Sequence, residues 1–433
     1  MNDYCTATYR CYDELADFSK KAASIAVGLT VGSWTDLPEA KKEAMQPYLG
    51  QVVEIAEDRN EFGERYADIT IAYPDRNFSR DLPALLVTVF GKLSMDGKIK
   101  LIDLHFSPSF LSAFSGPKFG ITGVREQLGV FNRPLLMSIF KSVIGHDLPA
   151  LREQFLQQAL GGVDLIKDDE ILFENPLSPL KERVKAGMDA AREAEQATGQ
   201  KLLYAVNLTG PTSQLLDKAR IAIDAGANAL LFNALAYGFD TLHELSKHPD
   251  VTVPIAAHPA MAGAYYPSLY HGIAAPLLLG KLMRLAGADL VLFPSPYGSV
   301  VMPKEENMAI RHNLQTEQIE QDYTFNGSAA AQADVNSASL NQNRVSVHSL
   351  PPSFPVPSAG IHPGLVPYIL RDFGSEVIVN AGGGVHGHPM GAAAGGRAFR
   401  QAIEATQQGI SLRAYSQQHQ ELKAAIETWG CPE

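Results

Sequence analysis

The sequence is poor in cysteine: its 433 residues include only Cys5, Cys11 and Cys431. Their spacing matches no metal-binding pattern, so we expect a reducing compartment, the cytoplasm. A basic excess is also absent, because the formal net charge is −11 and no basic block is present to neutralise nucleic-acid phosphates. We therefore expect no nucleic-acid partner, while a local site for a small anion stays open.

Long hydrophobic runs are missing as well. The first residues, "MNDYCTATYRCYDE", lack a basic segment followed by an apolar core, and Gly, Lys or Arg interrupt the longest apolar stretches. Neither a secretion signal nor a membrane span is expected. Apolar residues make up 45% of the chain and charged residues 19%, as in a soluble globular enzyme. The length allows a large barrel plus a smaller domain.

The first part of the chain mixes strand and helix patterns. Alternating apolar residues predict strands in "YCTATYRCY", "YADITIAYP" and "IKLIDLHFS". Helical spacing predicts helices in "KKAASIAVGLTVGSW" and "LPALLVTVFGKL". We expect helices packed on a small antiparallel sheet over residues 1–120, an N-terminal α+β domain of ferredoxin-like type.

From about residue 133 the pattern becomes strand then helix, repeated. The predicted strands are "PLLMSIFK", "VDLIKDD", "LLYAVNLTG", "ALLFNA", "VPIAAHP", "LVLFPSP", "FPVPSAG" and "VIVNAGGG". Eight parallel strands with intervening helices predict an α/β domain, a C-terminal (β/α)8 TIM barrel over residues 121–433. A doubly wound sheet is the alternative, but it usually has fewer strands.

One segment interrupts this pattern. Residues 326–353 are rich in Ser, Ala, Asn and Gln and fall between the sixth helix and the seventh strand. That position puts them at the N-terminal face of the barrel, whereas catalysis in such barrels takes place at the opposite face. We expect a flexible insertion there and no functional lid.

Polar or glycine residues end nearly every predicted barrel strand. TIM-barrel active sites collect residues from these ends, so the convergence predicts one site there. In strand order the ends are Lys141; Lys167, Asp169 and Glu170; Asn207 and Thr209; Asn233; His258; Ser295 and Tyr297; "SAGIHPG"; and "AGGGVHGHP".

The second strand ends in "LIKDDE", a lysine followed by three acids. Alternation puts Lys167 and Asp169 on one side of the strand and Asp168 on the other, while Glu170 begins the loop. Two carboxylates suit an oxygen-seeking cation such as Mg²⁺. The lysine is then either an ion-pair partner or, after addition of CO2, a carbamate that supplies a third oxygen, and the residues alone favour the ion pair. All four side chains are candidates for substrate binding, Asp168 included.

Glycines cluster at the ends of strands seven and eight. Gly360, in "PSAGIHPG", and Gly382 to Gly384, in "NAGGGVHGHP", leave backbone N–H groups open to close approach. Barrels frequently bind phosphate at these two strand ends, and two consecutive clusters favour phosphate over simple tight turns. For His386 and His388 we prefer packing or supporting roles over metal ligation.

The motifs "GGVDLIKDDE", "RPLLMSIFKSVIG", "SAGIH" and "GGGVHGHP" together resemble the RuBisCO large-chain superfamily, and the resemblance spans nearly the whole chain. It implies that Lys167 becomes N6-carboxylysine by reaction with CO2. It also implies that this group binds one Mg²⁺ per subunit together with Asp169 and Glu170. The resemblance thus reverses the ion-pair interpretation of Lys167.

Departures from the carboxylating members narrow the implied function. The KPK motif after strand one becomes "KSV", which keeps Lys141 but has Val143 at the second lysine. The GKLEG loop after strand six becomes "FPSPYGSVVMP", with no lysine before Lys304. The His–Arg pair on strand five becomes His258–Pro259, which removes an arginine that grips a second phosphate. A substrate with a single phosphate is implied, and His258 is a candidate contact for it, with a core histidine as the alternative.

The stretches "GLTVGSWTDLP", "NFSRDLPALLVTVFGKLSMDGK" and "PSPYGSV" resemble the type IV, RuBisCO-like 2,3-diketo-5-methylthiopentyl-1-phosphate enolases of bacterial methionine salvage. This resemblance implies a keto–enol isomerase and a homodimer in which one subunit's N-terminal domain completes the other's barrel mouth. It implies that Lys92 is the general base, although the pattern alone would make Lys92 a surface helix lysine. Lys141 would contact the substrate, and Gly360, Gly382 and Gly383 would hold its phosphate.

Three other functions stay open: another RuBisCO-like isomerase or tautomerase on a related sugar phosphate, a ribulose bisphosphate carboxylase, and a non-catalytic barrel protein. The missing loop lysine counts against the carboxylase. The intact Lys92 and "LIKDDE" motif count against a decayed site, and the "FGKLS" context of Lys92 favours the enolase.

Overall fold

The computed structural model of the protein describes residues 3–32, 38–316 and 349–431. Residues 326–348, most of the predicted insertion, lie outside the described residues. Among the described residues, no helix is both long and apolar enough to cross a membrane. The chain divides into two compact units, and each is described separately below.

The first unit contains the described residues up to Phe114 together with the segment Ser268–Ala274. Its strands are β1 (Tyr4–Tyr12), β2 (Gln51–Arg59), β3 (Arg65–Pro74), β4 (Ile99–His105) and β10 (Gly272–Ile273). They form one sheet in the order β10-β4-β1-β3-β2. All neighbours are antiparallel except β10, which lies parallel to β4. The three strands predicted from alternation are β1, β3 and β4.

Short helices accompany this sheet. They are α1 (Phe18–Gly28), α2 (Glu39–Met45), α3 (Leu82–Leu86) and α4 (Pro108–Leu111). Asp17 and Asp81 begin α1 and α3, because their carboxylates accept hydrogen bonds from backbone N–H groups of the first turn. Helix α3 continues into a π-helical turn, Val87–Gly91, which ends at Lys92.

The second unit contains a sheet of eight parallel strands in the order β12-β11-β9-β8-β7-β6-β5-β13. The strands are β5 (Leu135–Ile139), β6 (Leu165–Lys167), β7 (Leu203–Asn207), β8 (Ala229–Phe232), β9 (Ile255–Ala257), β11 (Leu290–Pro294), β12 (Phe354–Ser358) and β13 (Ile378–Ala381). All eight predicted strands are present. The end strands β12 and β13 are joined by a side-chain hydrogen bond from Asn380 Nδ2 to Ser358 Oγ at 2.8 Å, so the barrel is nearly closed. The α+β domain followed by a barrel is confirmed.

Helices alternate with these strands. They are α5 (Gly120–Leu128), α6 (Leu148–Leu160), α7 (Leu180–Thr198), α8 (Leu215–Asp224), α9 (Phe239–Lys247), α10 (Leu282–Leu285), α11 (Lys304–Gln315), α12 (Val366–Phe373), α13 (Gly383–His386), α14 (Ala392–Gln407), α15 (Leu412–Ser416) and α16 (Gln420–Trp429). A π-helical stretch, Pro276–Lys281, precedes α10. Local sequence sets several ends: Asp147 begins α6 by accepting from Ala150 N, and Gly199 ends α7 in the left-handed conformation at φ 71°.

Apolar side chains fill the barrel, and α5 lies against them at the end where the strands begin. Ile121, Val124 and Leu128 of α5 belong to the same buried cluster as inward-facing residues of the strands. Inward-facing members on the strands include Met137, Leu165, Leu203, Leu231, Leu292, Val356 and Ile378. Side chains therefore fill the barrel at the end where the strands begin. An active site can lie only at the opposite end, where the strands finish.

Asp289, just before β11, ties α5 to this packed end. Its wholly buried carboxylate accepts hydrogen bonds from Phe119 N, Gly120 N and Ile255 N at 2.7 to 2.8 Å. Burial raises the pKa of Asp289 to about 6, although these hydrogen bonds oppose the shift. In the unfolded chain an aspartate has a pKa of about 3.9.

The contribution of Asp289 to stability should therefore depend on pH. Between roughly pH 4 and 6 the folded protein binds more protons at this carboxyl than the unfolded chain does, so its contribution to the free energy of unfolding falls as pH rises. The variant Asp289→Asn cannot titrate. Urea unfolding should show the stability advantage of the wild type over this variant shrinking across that range, and a constant difference would contradict the assignment.

Candidate active site

The carboxyl ends of the barrel strands carry strained loops. Three described residues other than glycine have positive φ: Ser142 at 55°, Met261 at 71° and Ala359 at 72°. They follow β5, β9 and β12. Left-handed backbone is unfavourable for residues with a Cβ, and such strain concentrates at functional sites, where surrounding packing maintains it.

The predicted cluster after β5 and β6 is formed. Strands β5 and β6 are neighbours, with Ile139 paired to Lys167, so Lys141 and "KDDE" end side by side. Lys141 Nζ lies 2.7 Å from Asp169 Oδ2 and 3.9 Å from Glu170 Oε2. Lys167 Nζ is wholly buried and lies 3.6 Å from the same Glu170 oxygen. Two lysines and two carboxylates thus neutralise each other in one small volume.

The charges of this cluster shift the pKa values of its members. Burial lowers the pKa of Lys167 to about 8, and the nearby carboxylates only partly oppose it. Burial would raise the pKa of Glu170, but Lys167, a backbone hydrogen bond and Lys141 together outweigh it, so the pKa is lowered. His258 Nε2 lies 3.6 Å from Glu170 Oε2. Burial, followed by repulsion from Lys167 and Lys141, lowers the pKa of His258 well below its ordinary value, so this imidazole is neutral at pH 7.

Asp168, a predicted substrate-binding residue, does not point into this cluster. Its carboxylate is wholly buried on the other side of β6 and accepts hydrogen bonds from Tyr204 Oη at 2.6 Å and Asn207 N at 2.9 Å. Arg183 of α7 lies 3.2 Å from it. Period-two alternation explains this position, because Asp168 must face opposite to Lys167 and Asp169. Asp168 therefore fixes β6 against α7 and β7.

Removing the charge of Asp168 should destabilise the barrel. Asp168→Asn is expected to lower the free energy of unfolding by about 3–5 kcal/mol, because Arg183 would stay buried without its counter-charge. Asp189→Asn is the matched control, because it breaks an exposed pair with Arg192 on the same helix and should cost under about 1 kcal/mol. Equal shifts in the two urea titrations would contradict the role given to Asp168.

Amide and hydroxyl side chains at the ends of β7 and β8 hold the turn that carries Asp169 and Glu170. Asn207 Nδ2 donates to the backbone oxygens of both residues, at 3.2 and 3.0 Å. Asn207 Oδ1 accepts from Thr209, whose hydroxyl accepts from Asn233 Nδ2 at 2.7 Å. These polar strand ends were predicted to belong to the site. In the structure they hold the turn that carries Asp169 and Glu170 by hydrogen bonds.

The glycine clusters lie next to the same residues. Gly382 follows β13, and a Cβ there would lie 3.2 Å from Lys141 Cγ, so its lack of a side chain leaves room for the lysine. A Cβ at Gly384 would collide with Ile361 O, whereas nothing lies within 4 Å of one at Gly383. Gly360, after β12, has a φ of 72°. Left-handed backbone favours glycine at Gly360 and a backbone collision requires it at Gly384, while Gly382 makes a close contact with the flexible Lys141 side chain.

Both ring nitrogens of each histidine in "GGGVHGHP" lie close to polar atoms of the protein. His386 Nε2 lies 2.8 Å from Ile139 O, and its Nδ1 lies 3.4 Å from Gln154 Nε2. His388 Nε2 lies 2.9 Å from Glu421 O, and its Nδ1 accepts from Met390 N. The roles are packing ones. Gln154, which also donates to Lys141 O at 2.7 Å, was not predicted, because no local pattern marks it.

Lys92 belongs to the first unit and not to the barrel cluster. It follows the π-helical turn, and its side chain is exposed. Exposure agrees with the surface position that the helical pattern alone predicts. It also leaves the amine accessible to a second molecule.

The ammonium of unmodified Lys167 cannot be a metal ligand, so the barrel cluster as it stands provides two carboxylates for a divalent cation. Across the described parts of the chain, no group of three or more His, Cys, Asp or Glu side chains is arranged to hold a metal ion. Asp169 and Glu170 provide carboxylates on the same side as the lysine. A carbamate on Lys167 would complete three oxygen groups, which is the ligand chemistry that Mg²⁺ prefers.

Comparisons with known proteins give the family. Residues 5–110 match the N-terminal domain of the ribulose bisphosphate carboxylase large chain, and residues 120–429 match its catalytic domain. A Bacillus licheniformis protein named 2,3-diketo-5-methylthiopentyl-1-phosphate enolase is 50% identical over 424 residues, 98% of this chain and 97% of that one. A Geobacillus kaustophilus protein of the same name is 51% identical over 435 residues, covering 99% and 98%.

Solved structures agree. A rubisco-like protein (MtnW) from Alicyclobacillus acidocaldarius superposes with a TM-score of 0.87 at 46% identity, covering 99% of this chain and 100% of that one. A dimeric archaeal Rubisco from Hyperthermus butylicus superposes with a TM-score of 0.83 at 30% identity, covering 99% and 96%. On the strength of these matches over nearly its full length, the chain belongs to the ribulose bisphosphate carboxylase large-chain family, within which its half-identical relatives are enzymes named as enolases.

Proposed function

We propose that this protein is a Mg²⁺-dependent keto–enol isomerase of methionine salvage. It would convert 2,3-diketo-5-methylthiopentyl-1-phosphate into 2-hydroxy-3-keto-5-methylthiopentenyl-1-phosphate. The observation that carries the proposal is the lysine–carboxylate cluster at the carboxyl end of the barrel, in a chain about half identical to enolases named for that substrate.

The two compound names define what the residues have to do. The product has a 2-hydroxy group on a pentenyl chain, so its double bond joins C1 and C2. The substrate therefore loses a proton from C1, the carbon that bears the phosphate, and gains one on the C2 oxygen, with no net change in atoms. The protein must hold the phosphate, stabilise negative charge on that oxygen and accept the C1 proton.

Lys167, Asp169 and Glu170 are the residues that would hold the metal. Only a neutral amine adds CO2, and the lowered pKa of Lys167 makes that form available near pH 7. The resulting carbamate and the two carboxylates carry three negative charges, while Lys141 carries one positive charge, so the cluster is left two charges short of neutrality. One divalent cation matches that deficit, and bound Mg²⁺ would polarise the C2 carbonyl and stabilise the enolate oxygen.

Lys141 and the glycines would bind the rest of the reacting group. The Lys141 ammonium lies beside Asp169 while its stem passes over Gly382, so it sits between the acidic turn and the glycine cluster. We assign to it a contact that balances negative charge on the substrate. Backbone N–H groups around Gly360, Gly382 and Gly383 would hold the single phosphate.

Lys92 is the proposed base that accepts the C1 proton. The proposal rests on its matching position in the enolase motif "FGKLS" and on its exposed side chain. A base presented by the first unit of one subunit would serve the barrel of another, so we propose a homodimer. Lysine accepts a proton only when neutral, a form that desolvation and nearby positive charge favour.

Enol formation tests this function directly. The protein, preincubated with Mg²⁺ and bicarbonate, is mixed with the diketo phosphate, and the conjugated enol product is followed by its ultraviolet absorbance. We expect rapid enolisation, and no incorporation of labelled CO2 into ribulose bisphosphate, because residues 295–303 contain no lysine. The reverse pair of results would establish a carboxylase. Absence of both activities would refute the proposed enzyme.

A further inference from the structure

The loop after β11, residues 295–303, is attached to one carboxylate of α12 near both of its ends. Asp372 accepts hydrogen bonds from the Tyr297 hydroxyl and, at 3.0 Å, from Lys304 Nζ. Arg371 donates to the same carboxylate at 2.9 Å and to Tyr297 Oη at 3.0 Å. The Asp372 side chain is only 3% exposed, whereas the side chains of Lys304 and Arg371 are about half exposed, so a buried carboxylate is covered by two cationic groups that reach solvent.

Helix stability does not explain an acid at this position. Asp372 lies in the last turn of α12, where the helix dipole disfavours negative charge. Burial raises the pKa of this carboxyl, but Arg371, Tyr297 and Lys304 outweigh burial and lower the pKa to about 2. The carboxylate is thus ionised at neutral pH, and its contacts with Tyr297 in the loop and Lys304 just after it explain why an acid occurs here.

The same loop contacts the turn after β12 through backbone atoms. Ser299 N donates to Ala359 O at 3.2 Å. A Cβ at Gly360 would lie 2.5 Å from Ser299 N, and one at Gly298 would collide with Ala359 O. Because no flexible side chain separates the two loops, a shift of one has to move the other.

We propose that Asp372 is a positioning residue that fixes the loop 295–303 and, through it, the anion-binding turn at Ala359–Gly360. The inference rests on the proposed function in one respect, since that function assigns phosphate to Gly360. In this proposal the loop 295–303 forms one rigid side of the phosphate site. The strain at Ala359, whose φ is 72°, is then maintained by the loop packed against it.

Two variants of the full-length protein test the attachment. Asp372→Asn removes the charge, and Tyr297→Phe removes one hydroxyl while leaving the Asp372–Lys304 pair in place. Asp250→Asn is the matched control, because it breaks a half-exposed pair with Arg220 far along the chain. The readouts are the rate of tryptic cleavage after Lys304, followed by mass spectrometry, and the dissociation constant for inorganic phosphate, measured by phosphorus-31 NMR.

We expect both variants to be cleaved after Lys304 about tenfold faster than wild type and to bind phosphate about tenfold more weakly, with Asp250→Asn unchanged. In turnover of the diketo phosphate, KM should rise while kcat changes little. Wild-type cleavage rates in both variants would overturn the attachment, and faster cleavage with unchanged phosphate binding would overturn its link to Gly360. Tryptic cleavage and phosphate binding do not require enol formation, so a protein that fails to enolise the substrate refutes the proposed function and leaves this inference standing.

Discussion

Lys92→Ala is expected to reduce the rate of enol formation by about 10²–10⁴-fold, the range that a positioned general base contributes. The substitution should affect kcat far more than KM, because the proposed contacts to phosphate and metal come from the barrel. Lys92 is exposed, so the variant should fold normally. Stopped-flow absorbance at the wavelength of the enol measures the effect.

Two further variants separate proton transfer from charge. Lys92→Arg keeps the positive charge but provides a group that stays protonated, so it should be as inactive as the alanine variant. Lys41→Ala removes another exposed lysine of the first unit and should leave the rate unchanged. If arginine restored activity, Lys92 would act by attracting the anionic substrate and not as the base.

Loss of the metal should reduce the rate of enol formation about as much as loss of Lys92. Glu170→Gln preserves shape but removes one of the negative charges that a divalent cation requires, and we expect kcat to fall by about 10³-fold. Chelation of Mg²⁺ should abolish activity in the wild type, and readdition should restore it. Isothermal titration with Mg²⁺ in the presence of bicarbonate should show weaker binding by the variant.

A neighbouring acid provides the control for this prediction. Glu174 lies four residues further along the same loop and accepts a hydrogen bond from Leu180 N at the start of α7, so Glu174→Gln should keep near-wild-type activity. The carbamate has its own test, because wild-type protein freed of CO2 should bind Mg²⁺ weakly until bicarbonate is supplied. Equal Mg²⁺ affinity with and without bicarbonate would exclude Lys167 as a metal ligand.

Local patterns were sufficient for the elements and for part of the site. All eight barrel strands occur where apolar runs end in polar or glycine residues, because the core of a parallel barrel demands such runs. The period of two also separated Asp168 from Lys167 and Asp169. The buried partners of Asp168, which are Arg183 and Tyr204, come from other elements, and no pattern near "KDDE" reveals them.

The helical pattern before Lys92 illustrates a second limit. The spacing of "LPALLVTVFGKL" predicts a helix, and the segment is helical, but its second half is a π-helical turn. Hydrophobic spacing does not distinguish hydrogen-bond patterns that differ by one residue. Where the turn ends decides where Lys92 emerges.

By itself, the sequence determined the order and type of the main elements, the strand ends that carry chemistry and the resemblance to the RuBisCO large-chain family. These follow from short-range periodicity and from motifs that are contiguous in the chain. Only the tertiary structure decided that Lys141 meets Asp169, that Asn207 holds the acidic turn and that Asp372 holds the loop after β11. Each of these contacts joins side chains from different strands or helices, and their geometry is set by how the barrel closes.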